Sequence, residues 1–417
     1  MPVDKIAIEN KEVTARALAL EPLEWKEIVA EAGLPAYRAR QVFAALQRGQ
    51  IASWDELRQL NPVDRDRIAA RAALQWPAIA RRIVSSDGTV RYLLALADGQ
   101  QVEAVYLPDE EFDGEGRLLR KRTTFCISSQ VGCAVNCQFC LTATLGLKRS
   151  LTAAEIVGQV LLLLREHDLR PGSRHGSADR VNLVFMGQGE PFLNYANVVR
   201  AIRVLTHPEG AGMAARRITV STAGIVEKIG RWSQEAFPHG RPRLAISLNA
   251  SHDEQRQLLM PLHGGQGGMA ALWAAVDAYA YQAREYLTFE YVLLAGVNDT
   301  PADAGRLVRL LAARRAKVNL IAWNSGGGLP FGSPEREQVL AFQARLVAGG
   351  VATYIRRPRG RDIYAACGQL SVAGLTSPDT TVRSEPSGKR TRKNPSESSP
   401  AVIPDQLAST VTGKPRA

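Results

Sequence analysis

Cys133, Cys137 and Cys140 stand in the run Gln130-Val-Gly-Cys133-Ala-Val-Asn-Cys137-Gln-Phe-Cys140, which places three thiols in one short loop. A structural zinc site closes its coordination with four protein ligands, whereas a 4Fe-4S cluster held by three thiolates leaves one iron open to a further ligand. The chain has five cysteines, and neither of the other two lies at finger or ribbon spacing from the three, which argues against a closed zinc module. The spacing therefore points to an iron-sulfur centre that can bind a small molecule and pass it an electron. Phe139, next to Cys140, is an aromatic that could shield such a centre from water.

A loop of this kind needs a rigid mount. The strand Arg122-Thr-Thr-Phe-Cys-Ile-Ser128 runs directly into it, and downstream the pattern alternates. Helices are expected over 152–166, 195–205, 224–232, 302–312 and 334–348, with further helices reaching 283. Between them, short apolar runs at 181–186, 217–221, 243–248, 288–294, 318–322 and 353–356 read as buried strands. Strands alternating with helices imply a parallel sheet covered by helices, here an α/β fold of the partial β/α (TIM-like) barrel type. In that architecture chemistry sits at the carboxyl ends of the strands, where the cysteine loop lies.

Upstream, residues 1–78 read as a small helical domain, broken at Gly33-Leu-Pro35 and carrying Arg38, Arg40 and Arg48 as exposed candidates. Residues 79–121 read as a β-hairpin around Asp98-Gly99 plus a linker, with Asp109 to Arg122 as an exposed polar loop. The barrel is expected over 122–372. Residues 373–417 lack apolar periodicity and read as a disordered basic tail, its cluster Lys389, Arg390, Arg392 and Lys393 being solvated.

Composition narrows the class further. With 45% hydrophobic residues among 417, a sizeable core is available, and five cysteines are too few for a disulfide scaffold. The charged opening lacks the apolar stretch of a signal peptide, and Val160-Leu-Leu-Leu-Leu164 is far shorter than the roughly 20 residues of a membrane span. A cytoplasmic protein with no membrane partner is expected. The net charge of +11 favours a polyanionic partner such as nucleic acid.

Small polar residues recur at successive strand ends: Met186-Gly-Gln-Gly-Glu-Pro191, Ser221-Thr-Ala-Gly224, Ser247-Leu-Asn249 and Asn324. The two glycines of the first would let the backbone approach a ligand, and Glu190 could accept from an ammonium group. Together they outline a polar ligand site on one face of the barrel.

With these motifs the chain resembles the radical S-adenosylmethionine (SAM) enzymes, specifically the RlmN/Cfr methyltransferases, from about residue 20 to 372. The likeness is carried by the cysteine loop, by Gly-Gln-Gly-Glu-Pro191, and by Val102-Glu-Ala-Val-Tyr-Leu-Pro108, Cys126-Ile-Ser-Ser-Gln-Val-Gly-Cys133, Arg217-Ile-Thr-Val-Ser-Thr-Ala-Gly224 and Arg359-Gly-Arg-Asp-Ile-Tyr-Ala-Ala-Cys-Gly-Gln-Leu370. Asn249 stands where the family often has His, and Gln188 where Met is common.

The resemblance implies a 4Fe-4S cluster on Cys133, Cys137 and Cys140, and SAM held by Gly189, Glu190, Ser221, Ser247, Leu248, Asn249 and Asn324. Two SAM molecules per turnover are implied, one as methyl donor and one as radical source. Cys367 would carry the methyl as S-methylcysteine, Cys126 would resolve the RNA adduct through a transient disulfide with Cys367, and Glu103 would be the general base. The implied substrates are a peptidyl-transferase-centre adenosine of 23S rRNA and an adenosine of tRNA, methylated at adenine C2. A donor such as flavodoxin or ferredoxin would supply the electron, the helical domain would grip RNA, and the enzyme would work as a monomer. Methylation at C8 of the same rRNA adenosine, and radical activation of another protein, are the alternatives.

Overall fold

The structure is a computed structural model that describes residues 15–112, 118–172, 180–325 and 328–370. The expected tail over 373–417, with its basic cluster, lies outside the described residues.

The N-terminal part comprises β1 (Ala15–Arg16) and the helices α1 (Pro22–Glu31), α2 (Tyr37–Gln47) and α3 (Pro62–Ala69), followed by β2 (Ala72–Ala73), which pairs with β1. Pro22 opens α1 behind a reciprocal Glu21/Glu24 capping box, and Asn61 caps α3 through the amide of Asp64. Helix α1 buries Trp25, Ile28 and Val29, and α2 buries Val42, Phe43 and Leu46. These side chains belong to the same hydrophobic core as Val160, Leu164 and Ile202 of the barrel helices. Each fully buried large apolar side chain contributes about 1.5–3 kcal/mol.

Polar contacts fix the same seam. Arg40 pairs with Glu209 at 2.7 Å, and Arg48 donates to the carbonyls of Gly210 (3.0 Å) and Pro208. Arg38 donates to Gln41 and to the carbonyl of Gln59. The three arginines read from the sequence as exposed are thus all engaged within the protein, two of them bracing helix against barrel.

Next come β3 (Ala78–Val84), β4 (Val90–Ala95), β5 (Gln101–Phe112) and β6 (Leu118–Cys126), joined in antiparallel order. The stretch expected as an exposed loop, Asp109 to Arg122, is largely strand. Its register sets Asp109 against Arg122, Glu110 against Lys121 and Glu111 against Arg120. Asp109 and Arg122, which carry opposite charges, face each other across this antiparallel pair, a favourable arrangement. The Asp109–Arg122 pair closes at 2.5 Å.

After β6, a short ribbon of β7 (Gln130–Gly132) and β8 (Leu147–Ser150) flanks the cysteine loop. Then α4 (Ala153–Glu166), β9 (Val181–Phe185), α5 (Tyr195–Thr206), β10 (Ile218–Thr222), α6 (Val226–Gln234) and β11 (Arg243–Ser247) follow. The described chain continues with α7 (Asp253–Leu259), α8 (Gly268–Asp277), β12 (Leu287–Leu293), α9 (Pro301–Leu311), β13 (Ala316–Ala322), α10 (Arg336–Ala348) and β14 (Ala352–Ile355). Strand bounds fall within two residues of those expected. Capping boxes at Thr152/Glu155 and Thr300/Asp303 start α4 and α9.

One sheet runs in the order β14-β13-β12-β11-β10-β9-β6-β5-β4-β3. Strands β6 and β9 to β14 are parallel neighbours, and the hairpin strands extend the same sheet beyond β6. This is the expected partial barrel, open between β14 and β3. Helix α4 is buried on most sides because Gly158 lies against Pro77 and Leu18, where a Cβ would come within 2.7 Å of the Pro77 ring. No helix among the described residues is long and apolar enough to cross a membrane.

Candidate active site

The cysteine loop is shaped by backbone contacts before any side chain enters. Gly132 has φ +76°, and a Cβ there would sit 1.7 Å from the carbonyl oxygen of Gly146, so only glycine lets β7 and β8 meet. Asn136 takes a left-handed conformation at the loop's turn. The amides of Cys133, Gln138 and Leu141 donate to the carbonyls of Gly146, Leu259 and Gly368, at 3.1, 2.9 and 2.8 Å. Trp323 adds an indole N–H to the carbonyl of Phe139 at 3.0 Å.

Beneath the loop, Val135, Phe139, Leu259, Met260, Leu294 and Trp323 form an apolar bed against which the three cysteines pack. Phe139 is one of the buried apolar side chains in that bed. Burial pushes the Cys133 thiol up to about 12 and raises Cys137 and Cys140 as well. Each is also raised by a neighbouring thiol or carboxylate, so three anions here call for a cationic partner. A three-thiolate iron-sulfur cluster fits that donor set.

The cysteines share one cavity with the carboxyl ends of the parallel strands. Its wall includes Gly189, Glu190, Ser221, Ser247, Asn249 and Asn324. That so many strands contribute to one cavity shows how the sheet curls. Glu190 is buried, accepts from the amides of Phe192 (2.9 Å) and Ala223 (2.6 Å), and is pushed up to about 7 by burial, which those amides oppose. Asn249, with φ +55°, accepts from the amide of Val292 at 2.9 Å. Leu248 differs from the other expected SAM residues: its side chain is wholly in the core, and its amide donates to the carbonyl of Glu290.

The Gly-Gln-Gly turn packs tightly against the neighbouring backbone. A Cβ at Gly187 would lie 2.6 Å from the carbonyl of Ile127, and one at Gly189 would lie 2.5 Å from Gln130. The glycines press the turn against the segment leading to the cysteines, and both also line the cavity. The amides of Ser129 and Gln130 both donate to the carbonyl of Gln188. Glu190 and the cysteine loop are thereby held in one unit.

The remaining two cysteines meet on the other side of Met186. Cys126 ends β6 in a small apolar cluster with Val105, Ile363, Ala365 and Leu370. It lines a second cavity of about 390 Å³ together with Cys367, Met186 and Arg356. Cys367 lines both this cavity and the one bearing the three cluster cysteines. Burial raises both thiols; each also feels the Arg356 guanidinium, which opposes that rise. All five cysteines are free thiols, so the structure holds no resident disulfide.

Glu103 lies on β5 and is fully buried. Its carboxylate is gripped by both arms of Arg91, at 2.7 and 3.1 Å, and Arg91 also donates to the carbonyl of Ile363 at 3.1 Å. Burial raises its pKa, and Arg91 opposes the rise. Glu103 is brought beside the Cys367 segment, but it lines neither cavity.

Several residues of this site carried no signal in the sequence. Buried Arg256 donates to the carbonyls of Ser247 (2.9 Å), Leu248 and Ala223 (2.6 Å), tying the ends of β10 and β11 together. Glu290, held by Asn319 at 2.8 Å, faces Arg356 across the cavity floor. Each is a charge inside a helix or strand whose meaning depends on distant partners.

Residues 127–311 match the model of the Radical SAM superfamily. A probable dual-specificity RNA methyltransferase RlmN of Koribacter versatilis is 49% identical over 351 residues, which is 83% of this chain and 98% of that protein. The dual-specificity RNA methyltransferase RlmN of Nitratidesulfovibrio vulgaris (strain DSM 19637 / Miyazaki F) is 43% identical, covering 82% of this chain and 90% of its own length. Among solved structures, a radical SAM methyltransferase from Sphaerobacter thermophilus superposes with a TM-score of 0.75 at 39% identity, over 85% of this chain and 98% of that one. The chain is thus a radical SAM protein, and it belongs to the RlmN family of RNA methyltransferases.

Proposed function

We propose that this protein methylates carbon 2 of an adenine in 23S rRNA, at the peptidyl-transferase centre, and in tRNA, using two SAM molecules per turnover. The observation that carries the reading is the position of Cys367, on the wall shared by the cofactor cavity and the cavity that holds Cys126. A methyl carrier must face both its donor and its acceptor.

In this reading Cys133, Cys137 and Cys140 hold the cluster, while Gly189, Glu190, Ser221, Ser247, Asn249 and Asn324 surround SAM and the backbone at Leu248 shapes the wall. The cluster, when bound, supplies the electron that splits SAM and so the radical that takes a hydrogen atom from the methylated cysteine. The Cys367 thiolate first attacks the methyl of SAM: an S–C bond forms, the sulfonium C–S bond breaks toward S-adenosylhomocysteine, and the thiol proton goes to solvent. Adenine C2 is electron-poor and is no nucleophile toward a sulfonium methyl, so a carbon radical on Cys367 must add to it.

The adduct radical must then lose one electron and the C2 proton to restore the ring; Glu103 accepts the proton as general base, and the electron goes to the bound cluster. Burial strengthens it as a base, and the grip of Arg91 couples its position to the Cys367 segment. Cys126 forms a transient disulfide with Cys367 as the methylated base leaves. A flavodoxin or ferredoxin supplies electrons in the cytoplasm, and the N-terminal helices (residues 1–78) serve as an RNA grip beside the barrel of a monomer.

The test is anaerobic incubation of the cluster-loaded protein with rRNA fragments, tRNA and methyl-labelled SAM, followed by mass analysis of the nucleosides. The expected product is 2-methyladenosine, and Cys126→Ala should trap a covalent protein–RNA adduct. Only 8-methyladenosine, or methylation of neither RNA, would overturn the proposal.

A further inference from the structure

A third cavity, of about 860 Å³, opens beside the catalytic ones and shares Asn324 and Arg356 with both. It lies between the amino end of α10, the segment after β14 and the loop that carries Cys367. Its lining holds four arginines, at 336, 356, 357 and 361, against two acids, Glu335 and Asp362. Asp362 is already taken by the Ser85 hydroxyl at 2.5 Å and the Ser86 amide at 3.0 Å. Arg361 donates to Asn324 and Arg356 faces Glu290, whereas Arg336 and Arg357 are exposed and bond to no described residue. The wall therefore carries more arginines than acids, and two of those arginines, Arg336 and Arg357, have no ion-pair partner among the described residues.

The same wall presents an aromatic. Tyr364 is 44% exposed and sits at φ +52°, ψ +41°, a left-handed conformation that residues with a Cβ adopt reluctantly. The turn is locked around it by bonds from the amides of Ile363, Tyr364 and Ala365 to the carbonyls of Gly360 and Arg361. A strained backbone that holds a large aromatic out toward an arginine-lined cavity is unlike a side chain left over from packing. The ring is three residues from Cys367 in the chain.

We infer that this cavity seats the nucleotide next to the modified adenine, with its base on the Tyr364 ring and its phosphates against Arg336 and Arg357. The inference rests on the RNA methylation proposed above. An enzyme that modifies one base in a strand draws it out of the stack and must hold its neighbours, and unstacked RNA bases pair well with aromatic rings. Charge beside an exposed ring is the combination used to hold single-stranded nucleic acid.

The experiment measures KM for the rRNA fragment and the tRNA transcript, across a salt series, with full-length cluster-loaded protein. Tyr364→Ala should raise KM by about 10-fold or more, with Tyr364→Phe restoring it. The double variant Arg336→Gln/Arg357→Gln should raise KM and flatten the dependence of log KM on log salt by about 0.7 for each phosphate no longer neutralised. The losses should fall on KM rather than kcat. A wild-type enzyme that methylates RNA while all these variants keep its KM and salt slope overturns the assignment of the cavity. Tyr364→Phe falling as far as Tyr364→Ala would remove the stacking role. A wild-type protein that methylates no RNA overturns the function and this site with it.

Discussion

Two loops bring cysteines to this site, and they are built in different ways. The loop of Cys133, Cys137 and Cys140 takes its turns from its own backbone, with glycine at 132 and 146, a left-handed Asn136 and the Cys133–Gly146 bond, and is then seated by the distant carbonyls of Leu259 and Gly368. The loop of Cys367 is shaped from a distance. Asp87 accepts from Arg359 (2.9 Å) and the amide of Gly360 (3.0 Å), Ser85 and Ser86 hold Asp362, and Arg91 holds Ile363. All of those partners lie on the hairpin, far away in sequence. In the proposed reading the first loop needs only to keep three ligands in place, whereas the second must be set against a substrate, and its anchoring to the hairpin fixes where.

The comparison predicts that damage to one loop should leave the other's function measurable. The largest effect is expected from paired cysteine variants. Cys140→Ala should lose iron and SAM cleavage together, while Cys367→Ala should keep its iron and lose RNA methylation entirely; iron analysis and labelled-methyl transfer read the two. Iron loss in Cys367→Ala would show that the loops are not separable.

Next in size is Arg91→Ala, which leaves Glu103 buried without its partner and should destabilise the fold by about 3–5 kcal/mol. Denaturant unfolding measures it. Replacing both partners, as Arg91→Met with Glu103→Leu, should recover most of that stability but not methylation. If the single variant unfolds at the wild-type midpoint, the ion pair does not anchor the hairpin end.

Gly132→Ala should cost at least about 1–3 kcal/mol from backbone strain alone, before its clash with Gly146, and should reduce iron retention. Unchanged iron content would contradict the local origin assigned to the cluster loop.

The smallest expected effect is one of pH. His167 stacks on Tyr106 at 3.5 Å, lies 2.9 Å from the Tyr92 hydroxyl, and has its pKa lowered from 6.5 to about 4 by burial and by Arg82. The unfolded chain takes up this proton at higher pH than the folded one. The stabilisation is therefore complete above about pH 6.5 and is lost progressively as pH falls toward 4. Thermal unfolding followed between pH 7 and about pH 5 should show that slope, and His167→Gln should flatten it. Equal slopes in the two proteins would refute it.

Legibility in the sequence follows the same divide. The cysteine triad stood out because the spacing of thiols in a short loop is a local property, and the parallel strands were readable because each is a short apolar run between helical periods. The Asp109–Arg122 stretch was misread as a loop because its charged run shows no apolar alternation along the chain, whereas its backbone pairs as strand on both sides with Asp109 opposite Arg122. Arg91, Arg256, Glu290 and Arg356 were invisible, since a charged residue in a strand or helix gains its meaning only from the carbonyls and thiols that folding brings to it. Cys126, Cys367 and Glu103 were ambiguous as isolated residues and acquired roles only through family motifs.

The continuous core that joins α1 and α2 to α4 and α5 has a consequence for substrate selection. No linker lets the N-terminal helices swing relative to the strand ends, so they form a caliper of fixed opening. If these helices grip RNA as proposed, an RNA held at one jaw would present to Cys367 only the nucleotide that its own folded shape holds at the matching distance. Selectivity among adenines can then arise from the architecture of the RNA, with little need to read the identity of the bases around the target.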